Sequence, residues 1–164
     1  MHSLSAGSKS EPSGRRISFL FDLFVLNQRL RRLLALALAD VELRADEYAV
    51  YSLLFEQAPL TATEMAGRMG MPLTTVLDYI KGMESRGHLR REPHPRDGRA
   101  QRLSLTMAGT AAHRRTNAAW EKMRLKLEGS LSLPVRDVRR ALQALDDAVS
   151  AATDTFDSAS REAG

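Results

Sequence analysis

The residues best suited to chemistry are the arginines of one short segment. Residues 81–102 carry seven basic and three acidic side chains, so this segment alone has an excess of four positive charges. The whole chain of 164 residues has a formal net charge of +4, so all other residues together sum to zero. Because arginine and lysine bind phosphates, one localised basic patch indicates a nucleic-acid-binding surface.

The sequence contains few residue patterns that would indicate catalysis or metal binding. The sequence has no cysteine and no GxSxG, HExxH, GxxxxGK or GxGxxG motif, which removes thiol chemistry and several common enzyme signatures. His88 and His94 bracket one side of the basic segment, while His2 and His113 are distant, so no metal-ligand spacing results. We interpret these histidines as surface groups and expect no enzyme, no cofactor and no metal.

Length and composition favour a globular protein of about one domain. Apolar residues make up 43% and charged residues 27%, which is ordinary for this class. The most apolar stretch, residues 17–39, contains three arginines and is too polar to cross a membrane. Residues 1–16 are rich in Ser and Gly and lack the apolar core of a secretory signal. They therefore predict a disordered tail and a cytoplasmic protein.

Two short helices and a hairpin surround the basic segment. Thr61 and Glu64 fit a capping box that begins one helix, and Gly70 ends it. Pro72 begins the next helix and Gly87 caps it. Four apolar side chains form the predicted buried stripe of this second helix: Leu73, Val76, Ile80 and Met83. Strands are predicted over 88–92 and 101–105, followed by a helix over 106–130.

Both ends of the chain carry apolar seams with a heptad-like spacing. In a helix over 17–39 the seam is Phe19, Leu23, Leu26, Leu30, Leu33 and Ala37. After Pro134 it is Val135, Val138, Leu142, Leu145, Val149, Ala152 and Phe156. A further helix over 45–57 ends at Pro59. The seams could be covered within a monomeric bundle. We prefer a dimer, because it would hold two basic hairpins at a fixed separation.

Several motifs between Leu60 and Gly109 have a familiar order. LTATEMAGRMG precedes ESRGHLRREPHPRDGRAQRLSLTMAG, which includes Asp97-Gly98-Arg99 and ends on Leu105-Thr106 and Gly109. These stretches resemble the first helix and the wing of MarR-type winged helix-turn-helix transcriptional regulators, and the resemblance covers about residues 17–150. It implies an obligate dimer with a recognition helix in the major groove and a wing in the minor groove. In many members a small-molecule pocket lies between the dimerisation and DNA-binding parts.

The resemblance assigns roles to the hairpin tip. Arg99 matches the family's wing arginine and is expected to enter the minor groove, where a guanidinium fits the narrow electronegative channel. Arg96 is expected to contact a phosphate. Asp97 is expected to hold the tip by orienting an arginine through a bidentate pair. The alternative is a solvated charged loop.

The helix after Pro72 and the helix before it supply the other candidates for DNA contact, with exposed helix surface as the alternative. These candidates are Thr63, Thr74, Thr75, Asp78 and Lys81. Family members commonly have Thr-Val-Thr-Arg or Thr-Val-Ser-Arg in this helix, whereas this chain reads Thr75-Val76-Leu77-Asp78. Asp78 can accept from cytosine N4 but would repel phosphates. These departures are expected to weaken or redirect DNA recognition.

An effector pocket for a small aromatic or apolar ligand is the last predicted site. The candidates are Tyr48, Tyr51 and Trp120, which the family places near such a pocket, and the alternative for them is core packing.

The sequence thus predicts a mainly α, winged helix-turn-helix fold with N- and C-terminal dimerisation helices and a small two-stranded antiparallel wing. Its parts are a disordered tail (1–16), a dimerisation helix (17–40), the DNA-binding region (41–109), C-terminal dimerisation helices (110–157) and a tail (158–164). We expect a ligand-responsive repressor that binds a pseudo-palindromic operator in double-stranded DNA as a homodimer. The alternative is an interaction module that has lost operator binding.

Overall fold

A computed structural model describes residues 18–97 and 99–162. The tail predicted over 1–16 lies outside the described residues. These residues form, in order, α1 (Phe19–Ala37), α2 (Ala45–Gln57), β1 (Leu60–Thr61), α3 (Ala62–Met69), α4 (Leu73–Ser85), β2 (Leu89–Pro93), β3 (Gln101–Leu105), α5 (Met107–Gly129) and α6 (Val135–Glu162). The fold class is therefore as predicted, with mainly helical structure around a small sheet.

The predicted helix boundaries around α3 and α4 are confirmed. The Thr61 hydroxyl accepts from the N–H of Glu64 at 3.2 Å, and the Glu64 carboxylate accepts from the N–H of Thr61 at 2.7 Å. Gly70 has a φ of 59° and Gly87 a φ of 68°, the left-handed conformation that only glycine adopts without strain. The Thr61–Glu64 capping box thus sets the start of α3, and the positive φ of Gly70 and Gly87 sets the ends of α3 and α4.

The sheet has three antiparallel strands in the order β1-β3-β2: β2 and β3 form the predicted two-stranded wing, and β1 is an additional strand that was not predicted. Leu60 pairs with Leu103, and β2 pairs with β3 from Leu89 opposite Leu105 to Pro93 opposite Gln101. Strand β1 contains only two residues, which is too short to produce an alternating pattern in the sequence. Its pairing ties the start of α3 to the base of the wing.

The core lies between α2, α3, α4, the sheet and the first half of α5. Its largest fully buried side chains include Tyr51, Leu43, Leu54, Met65, Ile80, Met83 and Leu103. Because α2 is buried along this core, it forms the central support on which the helix-turn-helix and the wing both pack.

The terminal helices leave their apolar seams uncovered within one chain. Leu26 of α1 is 56% exposed, and Leu142 and Val149 of α6 are 56% and 52% exposed. Helix α6 makes no extensive contact with any other described element. It also continues to Glu162, into the range 158–164 that the sequence predicted as a tail. A bundle within one chain therefore does not cover these seams.

Over the described residues, every helix falls short of the length and apolar character that crossing a bilayer requires.

Candidate nucleic-acid interface

Helix α4 turns one face into the core and the other outward. Val76, Ile80 and Met83 are buried, as predicted. Leu73 was predicted to join this stripe, but it is 43% exposed, so that prediction is wrong. Leu73 is the first residue of α4, and helical side chains lean towards the N-terminus, so its side chain extends past the packed part of the helix.

The predicted contact residues of α4 lie on its outward side. Thr74, Asp78 and Lys81 are exposed, and Thr75 is half-buried on the flank. At 100° per residue, Thr74, Asp78 and Lys81 share one face, opposite to the buried stripe. Thr63 is exposed near the start of α3, which packs against α4. The structure therefore brings together the α4 candidates and leaves Thr63 on the neighbouring helix.

Two side-chain contacts fasten α4 to the start of α2. The Tyr79 hydroxyl donates to the Asp46 carboxylate at 2.6 Å, and this hydrogen bond raises the pKa of Tyr79 to about 12. The Arg86 guanidinium donates to Glu47 at 2.8 Å. The sequence did not indicate these pairs, because their members lie 33 and 39 residues apart. Together they set the position of the outward face relative to the core.

The wing tip is held by side-chain bonds to main-chain groups. The Asp97 carboxylate accepts from the N–H of Arg99 at 3.0 Å, and among the described residues it forms no ion pair with an arginine. The bidentate pair expected for Asp97 is therefore not formed, because the turn brings its carboxylate over the main chain. His94 Nδ1 accepts from the N–H groups of Arg96 and Asp97 at 3.3 and 3.1 Å. Both contacts require an unprotonated Nδ1.

Carboxylates neutralise part of the basic segment. Arg86 pairs with Glu47, Arg90 with Glu92 at 2.9 Å, and Arg91 with Glu84. The Glu84 hydrogen bond raises the pKa of Arg91, and Arg91 lowers the pKa of Glu84 in return. Among the described residues of the segment 81–102, three exposed basic side chains have no such partner: Lys81, Arg96 and Arg99. The available positive charge of this segment is thus at the outward face of α4 and at the wing tip.

The base of the wing depends on a close approach at Gly109. The Thr106 hydroxyl donates to the carbonyl of Gly87 at 2.8 Å and accepts from the N–H of Gly109 at 3.1 Å. The N–H of Thr106 donates to the carbonyl of His88 at 3.0 Å. A Cβ on Gly109 would lie 2.3 Å from that carbonyl oxygen. The Leu-Thr-x-x-Gly exit therefore joins the wing to α5 where only glycine fits.

Comparison with known proteins agrees with this geometry. The sequence model of the MarR family matches residues 43–100. This part of the chain is therefore similar in sequence to the MarR family. The match includes α2, the helix-turn-helix and the wing up to its tip. This similarity agrees with the prediction of a transcriptional regulator. No curated protein matches the chain in sequence.

Solved structures extend the likeness beyond the MarR domain. A transcriptional regulator of M. tuberculosis, MOSR in complex with DNA, is 22% identical with a TM-score of 0.72, over 83% of this chain and 98% of its own. A mutant of E. coli MarR complexed with operator DNA is 21% identical with a TM-score of 0.70, over 77% and 92%. A probable transcriptional regulator from Pseudomonas aeruginosa is 27% identical with a TM-score of 0.65, over 76% and 92%.

Two histidines lie in the core of the MarR fold, so their prediction as surface groups is wrong. His88 bonds through Nδ1 to the Tyr51 hydroxyl at 2.9 Å. His113 is stacked between Tyr48 and Phe55, and its Nε2 lies 3.1 Å from the Ser52 hydroxyl. Burial lowers the pKa of His113. Within the described part of the chain, no group of three or more His, Cys, Asp or Glu side chains could hold a metal.

A cleft of about 860 Å³ lies between α1, the start of α2, α4 and α5. Trp120 lines it, but Tyr48 and Tyr51 do not: Tyr51 is fully buried, and the Tyr48 hydroxyl donates to Asn117 at 2.6 Å. Of the three predicted pocket residues, the structure therefore places only Trp120 at the cleft. The sequence did not single out the others that line it, among them Arg31, Leu34, Leu38, Arg44, Asp46 and Tyr79.

Proposed function

We propose that this protein is a transcriptional regulator that binds double-stranded DNA, with α4 in the major groove and the wing in the minor groove. The observation that carries the proposal is the placement of Lys81, Arg96 and Arg99. They are exposed and have no acidic partner among the described residues, and they lie on the two elements that a winged helix presents to DNA. Thr63, Thr74 and Thr75 would add hydroxyl contacts to phosphates or bases. Arg99 would enter the minor groove.

A salt titration tests this proposal. The duplex is one selected from a random-sequence pool, and its affinity is measured by fluorescence anisotropy at several salt concentrations. With six to eight phosphates contacted per dimer, the slope of log affinity against log salt should be about −5 to −7.

A matched pair of variants identifies the side chains responsible. Replacing Arg96 and Arg99 by Ala should flatten the slope markedly. Replacing Arg90 and Arg115, which already pair with Glu92 and Glu42, removes the same charge and should change it less. A flat salt response of the unmodified protein would contradict the proposal.

We propose that the protein acts as a homodimer through the segments predicted from sequence, the N-terminal segment 17–40 and the C-terminal segment 110–157. The exposed seams of α1 and α6 support this, because leucines and valines at heptad spacing favour a partner helix. A dimer would bind a pseudo-palindromic operator with half-sites about 34–36 Å apart. This arrangement favours a cytoplasmic repressor that acts by binding a promoter and blocking it.

Sedimentation equilibrium tests the dimer. The unmodified protein should have twice the 18.2 kDa mass of one chain at micromolar concentration. Leu142→Glu adds a charge within the seam of α6 and should dissociate the dimer, whereas Ala144→Glu adds the same charge off the seam and should not. A monomeric unmodified protein would remove the interface from the mechanism.

We propose that the cleft beside Trp120 binds a small aromatic or apolar effector. Its volume lies within the usual range for ligand sites, and Leu34, Leu38 and Trp120 supply apolar surface. Arg31 and Arg44 at the same cleft would favour a ligand that also carries a carboxylate. Trp120 is the single tryptophan of the chain, so its fluorescence reports binding directly. Benzoate should change this fluorescence at lower concentration than neutral benzyl alcohol, and no change with either would contradict the proposal.

A second candidate function is a protein-interaction module that kept this fold and lost operator binding. The observation that favours it is the exposed Leu77-Asp78 pair on α4, where a leucine and a carboxylate replace phosphate-binding side chains. The salt titration separates the two functions, because a module without DNA binding has no salt-dependent duplex affinity.

A further inference from the structure

We propose that Leu77 and Asp78 determine the DNA sequence that α4 reads, through a thymine methyl group and a cytosine amino group in the major groove. This inference rests on the proposed function and deepens it by naming the bases. It concerns specificity and adds nothing to the affinity for the DNA backbone.

The position of the pair on α4 is the first argument. Leu77 and Asp78 lie within the first two turns of the helix, and the N-terminal part of a recognition helix is the part that reaches base edges. Leu77 is 45% exposed, and Asp78 is exposed on the same face as Thr74 and Lys81. The buried stripe of α4 and the Tyr79–Asp46 bond fix the rotation of the helix, so these two side chains point outward together.

The availability of the Asp78 carboxylate is the second argument. Nearby carboxylates are engaged, since Glu47 accepts from Arg86 and Glu84 from Arg91. Asp78 has no hydrogen-bond or ion-pair partner within the described part of the chain, although Lys81 is only one turn away. A carboxylate can only accept, and phosphates repel it, so it is best placed over donors at the groove floor. Cytosine N4 offers such a donor, whereas guanine presents acceptors there.

The apolar surface of Leu77 is the third argument. A single exposed leucine is ordinary on a protein surface. Leu77, however, is adjacent to Asp78 on the outward side of α4, and it can neither donate to a phosphate nor pair with a base edge. The apolar group that the major groove offers is the C5 methyl of thymine. Leu77 and Asp78 are about 100° apart around the helix, so they would reach neighbouring base pairs.

Selection from a random-sequence duplex pool tests the assignment. The unmodified protein should enrich duplexes with a thymine next to a cytosine in each half-site. At the position that Asp78 contacts, the unmodified protein should prefer cytosine over the other bases by at least about fivefold. Asp78→Asn adds an N–H donor beside the oxygen acceptor and should shift this preference from cytosine to adenine. Asp40→Asn removes an exposed carboxylate outside α4 and should enrich the same duplexes as the unmodified protein.

Deoxyuridine substitution isolates the methyl group. Replacing the selected thymine by deoxyuridine removes only the C5 methyl and should weaken binding of the unmodified protein about fourfold, the value expected for one buried methyl group. For Leu77→Ser the same replacement should have no effect. These measurements use whole protein, and circular dichroism confirms that each variant is folded.

The possible results distinguish failure of base reading by Leu77 and Asp78 from failure of DNA binding as a whole. If the unmodified protein selects a duplex but both variants select the same bases and deoxyuridine has no effect, then Leu77 and Asp78 do not read DNA. In that case the proposed function stands and this inference fails. If the unmodified protein enriches no duplex, the proposed function fails, and the exposed pair becomes a candidate contact for a protein partner.

Discussion

Gly109 supports the base of the wing, and replacing it by alanine should destabilise the protein. The added Cβ would lie 2.3 Å from the carbonyl oxygen of His88, which also accepts from the N–H of Thr106 at 3.0 Å. Because the overlap with the new Cβ and the hydrogen bond from Thr106 both involve the main-chain carbonyl of His88, no side-chain rotation can relieve the overlap. The chain between β2 and α5 must move, or the bond to Thr106 must lengthen.

The magnitude follows from two costs and one gain. Overpacking of this kind costs about 1–3 kcal/mol, and weakening one hydrogen bond costs about 1 kcal/mol. The better helix propensity of alanine offsets about 1 kcal/mol. We therefore expect Gly109→Ala to lower the free energy of unfolding by about 1–3 kcal/mol.

Gly67 provides a matched control within the same fold. It lies inside α3, and a Cβ there would have no heavy atom within 4 Å. Gly67→Ala should therefore raise the free energy of unfolding by about 0.5–1 kcal/mol. Urea unfolding followed by circular dichroism measures both variants at one protein concentration, because the stability of the proposed dimer would depend on concentration. Equal stability of the two variants would refute the steric argument.

Three further predictions concern single side chains. Arg99→Ala should weaken duplex binding by at least about tenfold, as the loss of one groove contact from each subunit of the proposed dimer implies. The molecular mass in solution should not change. An equal loss of affinity in Arg90→Ala would show a general charge effect instead. Burial lowers the pKa of His113 below its usual 6.5, so the neutral imidazole favours folding, and stability should fall as the pH falls below about 6.5. His113→Phe should flatten this dependence between pH 7.5 and 5, and an unchanged pH profile would exclude His113 as its source. Tyr79→Phe removes the bond to Asp46 and should lower the free energy of unfolding by about 1 kcal/mol in urea titrations; an unchanged value would show that the bond contributes nothing.

Local sequence patterns predicted most of the helices and their ends. The capping box of Thr61 and Glu64 and the glycine caps at 70 and 87 act within a few residues, so the sequence contains the full interaction. Strand β1 was missed because two residues show no periodicity. Leu73 was wrongly placed in the core because a stripe gives the face of a helix but not where the packing ends.

Contacts between segments far apart in the chain could not be predicted from the sequence. His88 is buried and bonds to Tyr51, 37 residues away, and His113 bonds to Ser52, 61 residues away. The basic segment was recognised from its composition, but the carboxylates that neutralise Arg86 and Arg91 could not be assigned. Composition therefore predicted a basic patch, and only the fold identified Lys81, Arg96 and Arg99 as its available members.

The bond between Tyr79 and Asp46 has a mechanical consequence, because both residues also line the cleft beside Trp120. A molecule bound in that cleft would contact the hydrogen-bonded pair that fastens α4, the proposed recognition helix, to α2. Binding of a molecule in the cleft and binding of α4 in a DNA groove would then be thermodynamically linked. By reciprocity, DNA that favours one tilt must change the affinity of the cleft by the same factor.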